Sequence, residues 1–109
     1  MNTVAVKKVR PGASLPTYGS AEAAGADLYA CLEAEITIPA GGTVFVPTGI
    51  ALEVPKGCAG LIYARSSLGT KRGLAPANKV GVIDSDYRGE VGVVLHNHGA
   101  EDQIGRAHV

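Results

Sequence analysis

The chain has 109 residues, enough for one small domain. Ten basic and ten acidic side chains cancel, so the basic excess that a nucleic-acid groove or a membrane-surface patch needs is absent. With four Tyr, one Phe and no Trp, there are too few rings for a platform that stacks single-stranded bases.

From the N-terminus, residues 1–12 carry Lys7, Lys8 and Arg10 but no apolar core of a signal peptide. No later run reaches transmembrane length, and a soluble, cytoplasmic protein is expected. Glycine and proline punctuate the chain at Pro11-Gly12, Pro39-Ala40-Gly41-Gly42, Pro47-Thr48-Gly49 and Pro55-Lys56-Gly57. The runs between them predict short strands over 4–9, 36–38, 43–46, 50–54, 61–63, 80–83 and 91–95, the pattern of an all-β sandwich or barrel. Cys31 and Cys58 stand in no C-x-x-C or Cys/His pattern and read as two buried free thiols.

One segment departs from the β pattern. Ser66-Ser67-Leu68-Gly69-Thr70-Lys71-Arg72-Gly73 predicts a short helix after Arg65, capped by Ser66 or Ser67 and ended by Gly73. Lys71-Arg72 reads as its solvated end. Residues 97–102 form a polar turn, and 103–109 show neither strand nor helix pattern. Residues 104–109 also match what a common sequencing-adapter DNA encodes in frame. The natural sequence is therefore expected to end near Asp102, leaving 103–109 as a non-native tail.

Three segments carry chemistry. In Ala24-Gly25-Ala26-Asp27-Leu28-Tyr29-Ala30, Asp27 interrupts a small-residue strand; by itself it reads as a strand-edge aspartate capping a turn. In Ala64-Arg65-Ser66-Ser67-Leu68-Gly69, a guanidinium that can fork onto phosphate oxygens precedes two hydroxyls at a helix start. The third runs from Asn78 through Gly81-Val82-Ile83-Asp84-Ser85-Asp86-Tyr87-Arg88-Gly89-Glu90-Val91. Here an apolar strand ends in a carboxylate, and Asp84 is expected to be fixed and partly dry, as suits a general base. Asp86 reads as a structural acid pairing with Arg88 or a neighbouring subunit. Tyr87 is either a core tyrosine or a ligand wall. His96 and His98 share a strand face, but no third ligand accompanies them and a metal site there is not expected.

These three segments, in this order, resemble three signatures of the trimeric dUTPases, over residues 4–102. The resemblance implies a jelly-roll-like β-barrel that assembles as a C3 homotrimer with sites at subunit contacts. It implies hydrolysis of dUTP to dUMP and pyrophosphate with Mg²⁺. Asp84 would activate the water, and Asn78, Val82 and Ile83 would lie along the hairpin that holds uracil. Tyr87 would pack on deoxyribose, Arg65, Ser66 and Ser67 would contact the phosphates, and Asp27 would reach Mg²⁺ through water. The family's fourth and fifth signatures do not follow, so the chain is expected to be an incomplete domain, weakly active or inactive alone. The main alternative is a dCTP deaminase, which has a similar Arg-Ser-Ser-Leu-Gly segment. That enzyme carries Asp-Pro-Gly-aromatic where this chain has Asp84-Ser85-Asp86-Tyr87, and a catalytic Glu at the position of Val94. A non-catalytic nucleotide-binding relative is the other alternative.

Overall fold

The computed structural model describes residues 3–105. In chain order its elements are β1 (Ala5–Lys8), β2 (Ile36–Ile38), β3 (Thr43–Glu53), β4 (Gly60–Ile62), a π-helical turn (Ser67–Lys71), β5 (Leu74–Pro76), β6 (Gly81–Ile83), β7 (Glu90–Asn97) and β8 (Gln103–Gly105). All strand pairs are antiparallel. They form a four-stranded sheet in the order β1-β3-β7-β5 and two ribbons, β2-β8 and β4-β6. The all-β expectation holds. Among the described residues the sheets remain three separate hydrogen-bonded units rather than one closed barrel.

The two runs at 43–46 and 50–54 are one strand, bent in the middle. The β3–β7 register passes from Pro47↔Gly92 to Ala51↔Glu90, so β3 carries extra residues at Thr48 and Gly49. Gly49 sits at φ +72, and a Cβ there would lie 2.8 Å from the Ala13 side chain and 3.0 Å from the Cys31 sulfur. Both the backbone conformation and the close approach require glycine. Thr48 is buried, and its hydroxyl donates to the Val91 carbonyl (2.5 Å), closing the ladder across the bulge. Cys31 is half-buried and Cys58 exposed, so the expectation of two buried thiols fails for Cys58.

Two strands were not legible in the pattern. β5 contains Pro76, a residue that argues against a central strand, but β5 is the edge of its sheet, where a missing N–H costs little. β8 occupies Gln103–Gly105, the start of the segment that showed no strand pattern. It pairs with β2 and is held by Arg72, whose Nε donates to Gln103 Oε1 (3.0 Å) and whose Nη2 donates to the Ile104 carbonyl (2.7 Å). Arg72 is thus half-buried and engaged, not a solvated helix end. Residues 106–109 of the expected tail lie outside the described residues.

The core that bears on the site is Val54, Ile83 and Val91, with Leu28, Leu52 and Ile62 packed against it. Burying a Val or Ile side chain contributes about 1.5–3 kcal/mol, so Ile83 fixes the end of β6 firmly. At the far end of β7, Asn97 is 0% exposed. Its amide donates to the carbonyls of Ile38 (2.9 Å) and Glu101 (2.8 Å) and its Oδ1 accepts from the Gly99 amide (2.9 Å).

Candidate active site

β6 leads directly into the chemistry. Side chains alternate across a strand, so with Ile83 pointing inward at 8% exposure, Val82 (62%) and Asp84 face outward. Asp84 is therefore exposed, not partly dry as expected; the period of two that buries Ile83 also puts its neighbour in solvent. A turn follows, in which the Tyr87 amide donates to the Asp84 carbonyl (3.1 Å). Arg88 braces that turn by donating from Nη1 to the carbonyls of Ser85 (2.7 Å) and Tyr87 (3.1 Å). Its other Nη lies 3.5 Å from Glu53, so the expected Asp86–Arg88 pair does not form.

Above this turn lies a cleft of about 210 Å³ that gathers Asn78, Val82, Ile83, Asp84 and Tyr87. Asn78 sits in the turn from β5 to β6, where the next residue, Lys79, takes φ 70 and its amide donates to the Pro76 carbonyl (2.8 Å). That turn brings Asn78 and the residues of β6 to the lining of one opening. Tyr87 is 45% exposed and lines the cleft, which excludes the core-tyrosine reading. Its phenol donates to the Glu90 carbonyl (2.7 Å).

Glu90, Gly92 and Ile62 also line the cleft. Glu90 belongs to the segment singled out in the sequence but has no role assigned there, whereas Ile62 and Gly92 are set by strand pairing with Gly81 and Pro47. Glu90 opens β7 and is anchored there: its Oε2 accepts from Arg10 Nε (2.6 Å) and from the Gly49 amide (2.9 Å). The hydrogen bond from Arg10 holds the Glu90 carboxyl below the ordinary carboxylate range, and the same bond raises the Arg10 guanidinium.

The remaining predicted residues form a second group outside that cleft lining. Arg65 lies 3.7 Å from Asp27, with the guanidinium 67% and the carboxylate 24% exposed. Asp27 is held by paired backbone bonds with Thr17 (2.6 and 3.2 Å) rather than within a strand, and the Thr17 hydroxyl bonds to that of Tyr29. Ser66 and Ser67 are exposed beside Arg65 at the start of the π-helical turn. Ser66 makes no side-chain capping bond; instead the Thr70 hydroxyl donates to the Ser66 carbonyl (2.6 Å). A five-residue turn aligns few peptide dipoles, so anion affinity here falls to the Arg65 guanidinium and the two free hydroxyls. Elsewhere, His96 Nδ1 bonds the Thr43 hydroxyl (2.9 Å) and its ring meets His98 edge-on at 4.6 Å.

The structure is an all-β chain with an exposed carboxylate, Asp84, in a cleft that Asn78 and Tyr87 also line, and a second group of Asp27, Arg65, Ser66 and Ser67 outside that lining. The dUTPase family model matches residues 12–104, and the chain belongs to the dUTPase family. It is 47% identical over 102 residues to a deoxyuridine 5'-triphosphate nucleotidohydrolase of Syntrophotalea carbinolica, covering 94% of this chain and 69% of that protein. Among solved structures it resembles a variant dUTPase from phage phi11 of S. aureus, described for its coordination of a structural Mg(II) ion. That match has a TM-score of 0.79 at 26% identity and covers 89% of this chain and 61% of the phage chain. It also resembles a variant Staphylococcus bacteriophage 80alpha dUTPase with dUpNHpp, at a TM-score of 0.79, 26% identity, and coverage of 90% of this chain and 61% of that one.

Proposed function

We propose that this chain hydrolyses dUTP to dUMP and pyrophosphate, limiting uracil in DNA and supplying dUMP. The observation that carries the reading is the cleft that puts the Asp84 carboxylate beside Asn78, β6 and the Tyr87 ring. A pyrimidine lying along the Asn78–Ile83 hairpin can pair with the Asn78 amide and the β6 backbone. Its sugar then meets Tyr87. A rigid ring rejects a 2′-hydroxyl by shape more strongly than an apolar pocket does.

Asp84 acts as general base. It orients a water for in-line attack on the α-phosphorus and takes its proton as pyrophosphate leaves. Arg65, Ser66 and Ser67 bind phosphate oxygens, and the fork of Arg65 fixes the chain of phosphates for that attack. Among the described residues no cluster of three His, Cys, Asp or Glu side chains could cage a metal. A single carboxylate, Asp27, beside a phosphate-binding arginine instead suits Mg²⁺, which is usually shared between one or two carboxylates, several waters and substrate phosphates. When bound, Mg²⁺ neutralises charge on the triphosphate.

The proposed enzyme is a homotrimer whose subunits complete one another's sites, supported by Asp27 and Arg65 not being among the residues that line the Asp84 cleft. Among the described residues no helix is long and apolar enough to cross a membrane; a cytoplasmic location is part of the proposal and rests on the proposed substrate.

The test is a turnover panel with Mg²⁺ on dUTP, UTP, dTTP and dCTP, following pyrophosphate and ammonia. It compares the 109-residue chain with one continued as its source locus encodes. Pyrophosphate from dUTP alone is expected. Ammonia from dCTP, or turnover of nothing by either chain, overturns the reading.

A further inference from the structure

Tyr87 is exposed on one side and would be free to swing unless something seats it. Two neighbours do. Gly89 lies against the phenol end of the ring: a Cβ built there would stand 2.6 Å from the Tyr87 oxygen and 2.8 Å from Cζ, closer than real contacts allow. Any side chain at 89 therefore displaces the ring. Glu90 supplies the second contact, its carbonyl accepting the phenol proton at 2.7 Å.

That carbonyl is itself fixed. The Glu90 carboxylate is tied to the Gly49 amide at 2.9 Å, in the bulge of β3, and to Arg10 at 2.6 Å, in the segment after β1. The Gly49 carbonyl in turn accepts the Val9 amide at 2.8 Å. A chain of bonds thus runs from the four-stranded sheet to the acceptor that holds the phenol.

We infer that Gly89 and Glu90 are positioning residues for sugar discrimination: together they seat Tyr87 so that its ring is a fixed wall. The inference rests on the dUTP reading above. It makes the hydroxyl of Tyr87 important for selectivity although it need not touch the substrate. An aromatic ring without that hydroxyl would fill the same volume yet yield to a 2′-hydroxyl, because a wall discriminates only as strongly as it resists displacement.

The experiment measures kcat/KM for dUTP and for UTP in the parent, Gly89→Ala and Tyr87→Phe, each in the full natural chain. The ratio of the two constants is the readout. A variant that is merely less stable lowers the active fraction equally for both substrates, so the ratio cancels it. Losing one hydrogen bond of ordinary net strength changes an equilibrium by up to about tenfold, so the dUTP:UTP ratio is expected to fall about tenfold in Tyr87→Phe. In Gly89→Ala, where ring and bond are both displaced, it is expected to fall at least as far. A ratio within about twofold of the parent in either variant overturns the inference while leaving the dUTP reading intact, since a twofold change is well under one ordinary hydrogen bond. A parent that turns over UTP as well as dUTP overturns the reading and the inference together.

Discussion

Replacing Asn97 by Ala removes a side chain that ties its own following turn to β2, 59 residues earlier. The residue is fully buried, and its three hydrogen bonds, at 2.8 to 2.9 Å, reach Ile38 in β2, Gly99 and Glu101. A net 0.5–1.5 kcal/mol per bond gives about 3 kcal/mol for the set. Ile38 is itself only 1% exposed, so its carbonyl has little access to replacement water. A chain of this size has about 5–15 kcal/mol of stability in total, so the loss is a large fraction. At roughly 4–8 °C per kcal/mol, Tm falls by more than about 12 °C. Urea unfolding followed by circular dichroism should show a lower midpoint with an unchanged slope. Asn97→Asp sharpens the test. The carboxylate keeps the Gly99 contact but replaces the amide donor with an acceptor facing the carbonyls of Ile38 and Glu101, so at neutral pH it should be less stable than Asn97→Ala. It should recover as acid protonates it and restores a donor. A loss below about 1 kcal/mol in Asn97→Ala would refute the reasoning, because three satisfied bonds, one of them buried, at about 0.5–1.5 kcal/mol each sum to more.

Asp84→Asn should lower kcat about 10²- to 10⁴-fold with little change in KM, the range for removing a general base, and should leave Tm unchanged because the side chain is exposed; normal turnover of dUTP would remove Asp84 from that role. The Arg10–Glu90 pair should show in acid. Glu90 is held below its ordinary value of 4.5, so its contribution is complete above about that pH and is lost as pH falls through the lowered value. Arg10, held above its ordinary range by the same bond, stays charged throughout acid and adds no acid dependence. The parent's Tm should therefore drop more steeply below about pH 4.5 than that of Glu90→Gln, and parallel curves would show the pair to be inert.

What was legible in the sequence was what depends on neighbours in the chain. The run at 36–38 is β2 as read, and Gly73 ends the helical turn at φ +67. Asp84 and Tyr87 stand together because they share one turn. What was not legible depends on partners far away. β8 exists through β2 and Arg72, neither of which is near it in sequence. The anchoring of the Glu90 carboxylate comes from Gly49 and Arg10, far away in the chain. The dryness expected of Asp84 failed for a local reason: the alternation that packs Ile83 into the core turns the next side chain outward.

That outward direction bears on assembly. An exposed carboxylate is a modest base until something excludes water around it, and Arg65, Ser66 and Ser67, the residues proposed to bind phosphate, are not among those lining its cleft. Both shortfalls vanish if a neighbouring protomer brings its Arg65 group over the Asp84 cleft. The consequence is testable by mixing. Asp84→Asn and Arg65→Ala chains, each silent alone, are unfolded together and refolded. If each site takes Asp84 from one subunit and Arg65 from the next, random assortment leaves about a quarter of sites with both residues intact, and about a quarter of parental activity returns. If both residues serve within one protomer, no mixture contains an intact site and activity stays absent. That outcome would reject the shared site while leaving the assignment of each residue standing.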